Sequence, residues 1–149
     1  LYNTQVSGNI EVFQATPNLV NLSVSGCSKV EGTFTGSIIR MISDIRANGG
    51  TVDLSNCGKF TLADDLSGIT DMTHIDLSGI NSLVGNVQVF EHNPNLTELN
   101  LFCCEEIEGD ISVFEFCPNV TDVILGGTKV TGNVQVFEHN PNLTELNLF

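Results

Sequence analysis

The chain has 149 residues and a net charge of −13, with eighteen acidic side chains against five basic ones, Lys29, Arg40, Arg46, Lys59 and Lys129. Phosphate backbones and anionic lipid headgroups are held by clustered Lys and Arg, so this balance argues against nucleic-acid binding and against direct membrane binding. Hydrophobic residues make up 41%, as in ordinary soluble domains, and no apolar run approaches the ~18 residues of a membrane span.

The first element, Gly8 to Val24, reads GNIEVFQATPNLVNLSV. Leu22 and Val24 alternate with polar neighbours, the two-residue period of a half-buried strand. Cys27 and Val30 follow at fixed spacing. Next, Ile38, Ile42 and Ile45 lie at helical spacing with Met41 beside them, and Asn48-Gly49-Gly50 is a helix stop, which predicts an α-helix over 37–47. Arg40 and Arg46 share it, either on a solvated face or as a local docking point. A weaker strand copy runs through Val52, Leu54 and Cys57, and another through Met72, Ile75, Leu77 and Ile80. Gly85 to Phe102 then reads GNVQVFEHNPNLTELNLF, Gly109 to Leu125 follows the same pattern, and Gly132 to Phe149 repeats the first of these letter for letter.

The second apolar positions of the strand segments are 22, 52, 75, 99, 123 and 146, spaced by 30, 23, 24, 24 and 23 residues. A single such strand cannot bury its apolar face, whereas strands stacked at ~4.8 Å build a continuous parallel sheet and core. The segment Leu96, Leu99, Leu101, Cys104, Ile107, with its counterparts, resembles the signature of the leucine-rich-repeat family across essentially the whole chain. The Val-x-Gly-Asn run at Val130 to Asn133 is similar to the plant-type subfamily, although Gln, Glu or Ser stands where that subfamily carries Pro. The resemblance implies an α/β solenoid, a leucine-rich-repeat horseshoe with a parallel β-sheet on the concave face, and short turns and one α-helix on the convex side. It also implies that Cys27, Cys57, Cys104 and Thr128 turn the chain inward after each strand by bonding to backbone, with Thr4 matching Thr128 if Leu1 ends an earlier strand. Phe13, Phe90, Phe114 and Phe137 recur at one position and are expected to stack, and Pro17, Pro94, Pro118 and Pro141 set the bend into the next strand. The chain reads as one domain over 1–149, a fragment of about six repeats uncapped at both ends and therefore prone to self-association.

Candidate chemistry is sparse. His92 and His139 are one duplicated loop position, without the further ligands a metal site needs. His74 lies near Asp76, but no nucleophile completes a catalytic set. The acidic runs Asp64-Asp65 and Glu105-Glu106-Glu108-Asp110 lack calcium-loop spacing, and no glycine-rich phosphate loop is present. The expectation is no enzyme, no cofactor and no metal. Five cysteines are an odd count, and three sit at one repeat position, which reads as buried thiols in a reducing compartment rather than a disulfide framework. Four sequons, at Asn21, Asn95, Asn119 and Asn142, keep an extracellular setting open, and the Asn and Thr of the repeated element also have a structural use in shaping the approach to the strand.

In the resembled fold, partners dock on the solvent-facing residues of the strands. Alternation assigns that surface to His74, Asp76, Glu98, Asn100, Phe102, Asp122, Ile124, Glu145 and Asn147, polar and acidic with an apolar patch at Phe102 and Ile124. The function expected is a protein–protein interaction scaffold that binds a basic protein partner. The alternatives are a ligand-sensing ectodomain or regulatory arm of a larger receptor or enzyme, and a secreted structural protein carrying glycans.

Overall fold

A computed structural model describes residues 4–149; Leu1, at which the expected earlier strand would end, lies outside them. Twelve short strands alternate with helical turns in a pattern that repeats six times. Each unit runs from an outer strand through a helical segment to an inner strand. The outer strands are β1 (Ser7–Asn9), β3 (Lys29–Phe34), β5 (Phe60–Leu62), β7 (Leu83–Asn86), β9 (Glu106–Asp110) and β11 (Lys129–Thr131). The inner ones are β2 (Asn21–Ser23), β4 (Thr51–Asp53), β6 (His74–Asp76), β8 (Glu98–Asn100), β10 (Asp122–Ile124) and β12 (Glu145–Asn147). Between them lie 3-10 helices at Ile10–Ala15, Ser67–Ile69, Val87–His92, Ile111–Phe116 and Val134–His139, and one α-helix, α1 (Gly36–Ala47).

All strand pairing is parallel and joins each unit to the next. The fold is therefore α/β with three parallel sheets: β1-β3-β5-β7-β9-β11, β2-β4, and β6-β8-β10-β12. Between the layers runs one continuous apolar core from Ile10 to Val136. The side chains at most of the spaced apolar positions, Leu22, Ile75, Leu99 and Val123 among them, point into it, while Leu146 is 41% exposed.

The outer sheet is an addition to the short turns and single α-helix expected on that side. The Val-x-Gly-Asn runs are strands, because Gly lets consecutive units approach closely: Gly85 stands opposite Ile107, and Gly109 opposite Val130. The Asn or Asp that follows caps the next 3-10 helix, as Asn86 Oδ1 accepts from Gln88 N at 2.9 Å and Asp110 Oδ1 from Ser112 N at 2.8 Å.

The predicted single inner sheet is corrected. It divides between β4 and β6, because the longer second unit places α1 against both strands. The helix starts at Gly36, where Thr35 caps it by accepting from Ile38 N, and ends in backbone bonds from Asn48, Gly49 and Gly50. Its buried stripe of Ile38, Ile39, Ile42 and Ile45 continues into two polar side chains, Ser43 and Arg46. Arg46 is accordingly neither on a solvated face nor free to dock anything. Its Nη1 donates to Asp76 O at 3.0 Å and Asp76 Oδ1 at 2.8 Å, while Nη2 donates to Ser78 O at 2.8 Å and Val52 O at 3.3 Å. Asp76 N donates to Ser43 Oγ at 3.2 Å. Side chains from α1 thus replace the missing ladder bonds at the divide. Arg40 does sit on the surface, paired with Asp71 at 2.6 Å, and that guanidinium holds the Asp71 carboxyl below its usual range.

The phenylalanine stack forms only in part. The Phe114 and Phe137 rings meet at 5.6 Å, while a second pair, Phe34 with Phe60 at 5.1 Å, comes from positions outside the expected column. Between Phe13 and Phe90 in unit order stand α1 and the short Ser67–Ile69 turn, neither of which carries a phenylalanine.

Candidate partner-binding face

Strand register brings the predicted face residues together on the four-stranded sheet. His74, Glu98, Asp122 and Glu145 form one row across β6, β8, β10 and β12, and Asp76, Asn100, Ile124 and Asn147 form the row two residues on. Leu-type side chains between these rows point into the core, which leaves the rows on the outer side of the sheet.

The two rows behave differently. In the second, three members are spent on their own strand ends: the side-chain oxygens of Asp76, Asn100 and Asn147 accept from the backbone N–H two residues later, at 2.9, 3.1 and 3.4 Å. Asp53 does the same for Ser55 in the two-stranded sheet, and the Ser55 hydroxyl holds its carboxyl below the usual range. These residues are turn-makers. Asp76 is further committed, through its ion pair with Arg46. Ile124 is the exception, an aliphatic side chain where every neighbouring unit with this turn has Asn or Asp.

Ile124 pairs with Asn100, two residues before a second apolar group. The Phe102 side chain is 44% exposed and packs over Gly126, whose missing Cβ would stand 3.2 Å from its ring and 2.4 Å from Phe149 O. Gly126 is therefore required by the patch it carries.

The first row is anionic. Glu98, Asp122 and Glu145 stand on consecutive strands, and like charges so placed repel one another. His74 Nδ1 meets Glu98 Oε2 at 2.6 Å at one end, and Asp122 is bonded by the Thr121 and Thr144 hydroxyls. None of the five Lys and Arg side chains forms an ion pair with this row among the described residues.

Elsewhere the candidates have structural work. His92 and His139 are exposed beside Glu91 and Glu138, and among the described residues no cluster of His, Cys, Asp and Glu is arranged to hold a metal. Cys57 Sγ donates to Val24 O at 3.2 Å, Cys104 Sγ to Leu77 O at 3.0 Å and Thr128 Oγ1 to Leu125 O at 2.7 Å, so these positions do bond backbone at the inward turn. Thr4 Oγ1 meets Cys27 Sγ at 3.0 Å. In the sequons, Asn95 and Asn119 donate to carbonyls of Thr70 and Pro94 in the preceding unit. A further ladder escaped the sequence reading: Asn93 and Asn140 are buried, with Nδ2 bonded to Ile69 O at 2.7 Å and to Phe114 O at 3.1 Å. Its signal was the Asn before Pro94 and Pro141.

All five cysteines are free thiols. Burial pushes Cys57 and Cys117 up to about 11 and Cys104 up to about 12. These native values lie above the ~8.5 of an unfolded thiol, so their contribution to stability is complete below that pH and is lost as pH rises toward the folded values. The urea midpoint of the wild-type chain is expected to fall between pH 8 and pH 10.5, and to fall less in a Cys104→Ala, Cys117→Ala variant. Equal falls in the two proteins would refute the thiol origin.

No family model matches the chain, and no curated protein matches it in sequence.

Proposed function

We propose that this chain is a leucine-rich-repeat solenoid that serves as a protein-interaction scaffold, binding a basic partner on the concave face formed by the four-stranded sheet. The observation that carries the reading is the pairing of two features on β8 and β10. Phe102 is exposed and Ile124 half-buried, the latter where a turn-making Asn or Asp stands on the neighbouring strands, and in the adjoining row Glu98, Asp122 and Glu145 line up without a Lys or Arg counter-ion. Apolar anchors next to uncompensated carboxylates suit a partner that supplies cations around an apolar centre. The net charge of −13 favours the same kind of partner by long-range attraction. The role is one of binding, without chemistry on the chain.

The test is the double variant Phe102→Asp, Ile124→Asp used as bait beside the wild type. Anchors of this kind contribute about 2 kcal/mol each, so partners held by the wild type are expected to fall below detection with the variant. A control pair on the outer sheet, Thr61→Asp with Thr131→Asp, adds the same charge and is expected to retain them. Equal recovery by all three baits would remove this face from consideration.

A further inference from the structure

We propose that Cys27 and Cys57 are a redox pair, which a low-molecular-weight disulfide converts into a cross-link between the units of β2 and β4. The argument begins with register. Leu22 stands opposite Val52, and beyond the strands Val24 N donates to Asp53 O at 3.1 Å and Gly26 N to Ser55 O at 2.9 Å. The pairing therefore carries into the inward turns, and the two cysteines occupy the same step of neighbouring units. Adjacent strands lie ~4.8 Å apart, inside the ~4.4–6.8 Å between Cα atoms that a disulfide spans.

The side chains meet at one atom. Cys27 N and Cys57 Sγ both donate to Val24 O, at 3.0 and 3.2 Å. The Cys57 sulfur is thus packed against the Cys27 backbone, whose amide is placed to bond that sulfur once it ionises. In the reduced chain Cys27 Sγ meets Thr4 Oγ1 at 3.0 Å. One rotation about its Cα–Cβ bond, between staggered positions, carries it to Cys57.

No other two thiols among the described residues share this relation. Cys104 has Ile80 at its step of the preceding unit and Thr128 at that of the following one, and Cys103 stands between Gly79 and Gly127. Cys117 bonds Phe90 O at 3.6 Å, between the buried Asn93 and Asn140 of its neighbours.

Cys57 is the more accessible of the pair, half-buried where Cys27 is 6% exposed. Its thiolate attacks one sulfur of glutathione disulfide, forming a mixed disulfide and expelling glutathione thiolate. The Cys27 thiolate then attacks the Cys57 sulfur, closes the protein disulfide and expels the second glutathione. The protein gives up two protons and two electrons, and glutathione disulfide takes them to become two thiols. Burial holds the Cys57 thiol up at about 11, so the first step is slow near neutral pH and the reduced state persists there.

The link closes a loop of about 30 residues, and closing a loop of that length removes freedom from the unfolded chain. Within it lie β3, α1 and β4, so the cross-link holds both ends of the segment that carries Arg46.

Treating the full chain with oxidised glutathione at about pH 8.5, then digesting it without reduction, tests this. The expected product is a Cys27–Cys57 peptide from chains of monomer mass, with two of the five thiols lost. Its far-ultraviolet circular dichroism is expected to be unchanged and its urea midpoint raised. Cys27→Ser is expected to stop with one glutathione on Cys57. Cys57→Ser, whose hydroxyl keeps the bond to Val24 O, is expected to fold and to leave Cys27 unlinked. A wild type that keeps all five thiols, that stops as the glutathione adduct, or that links Cys27 or Cys57 only to other cysteines would overturn the proposal. An oxidised form with an altered spectrum or a lower urea midpoint would overturn it too.

Discussion

Replacing Arg46 with Ala lowers the stability of the chain by about 3–5 kcal/mol in urea, the cost of removing one partner from a largely buried ion pair. The Arg46 and Asp76 side chains are only 15% and 19% exposed, so solvent cannot replace the lost guanidinium well. The substitution also strips donors from Asp76 O, Ser78 O and Val52 O at the divide between the two inner sheets. Those carbonyls belong to strands on opposite sides of the gap, so the two sheets lose their common tie. Arg46→Lys is expected to recover less than half of the loss, because one ammonium cannot span a carboxylate and three carbonyls that a planar fork reaches together. A Lys variant as stable as the wild type, or an Ala variant within about 1 kcal/mol of it, would show that packing of α1 alone holds the seam.

The consequence reaches the proposed binding face. Asp76 lies on it, beside Asn100, and without Arg46 its carboxylate would add a charge with no Lys or Arg partner to the row adjoining Glu98, Asp122 and Glu145. Arg46 therefore sets where the anionic surface begins, from a helix on the far side of the sheet. Periodicity already held the clue: Arg46 follows Ile42 by four residues and Ile38 by eight, which puts it on the buried stripe of the helix. Reading it as solvated came from its charge alone, against its position.

What could be read from the letters was whatever repeats. The inner strands, α1 and the inward turns at Cys57, Cys104 and Thr128 each follow from an interval that recurs, because each unit must bury the same face against its neighbour. The face residues were legible for the same reason, since alternation in a strand fixes which side chains leave the core. The outer sheet was hidden because its strands are short and interrupted by Gly, which as a residue type disfavours strands. The divide between β4 and β6 was hidden because it depends on how far a helix of twelve residues reaches inward, a property of three-dimensional packing rather than of spacing. That Asn100 and Asn147 are turn-makers while Ile124 is free was also beyond pattern reading, for it rests on side-chain bonds two residues downstream.

Gly109→Ala is the second substitution with a large expected effect, and it tests how the units are locked together. Gly109 has φ of +118°, a left-handed conformation that costs a residue with a Cβ about 1–2 kcal/mol. The new methyl would also stand 2.3 Å from Asn86 Oδ1 and 2.9 Å from Val87 Cγ2, contacts that force the neighbouring unit to move and add about 1–3 kcal/mol. Together the loss is expected to be about 2–5 kcal/mol. Asn86 is the member that must give way, and moving it breaks its cap on Gln88 N. Removing that side chain as well opens the space, so Asn86→Ala with Gly109→Ala is expected to lose less than the two single changes combined, by about 1 kcal/mol or more. Gly8 supplies the contrast at the same motif position. Its φ of +150° carries the backbone strain, but nothing lies within 4 Å of its Cβ position, and Gly8→Ala is expected to cost only about 1–2 kcal/mol. Equal losses at Gly8 and Gly109, or strict additivity of Asn86→Ala with Gly109→Ala, would assign the conserved geometry of the repeat to backbone conformation alone. A deficit confined to Gly109 instead identifies the cap-over-glycine contact as the catch between successive units.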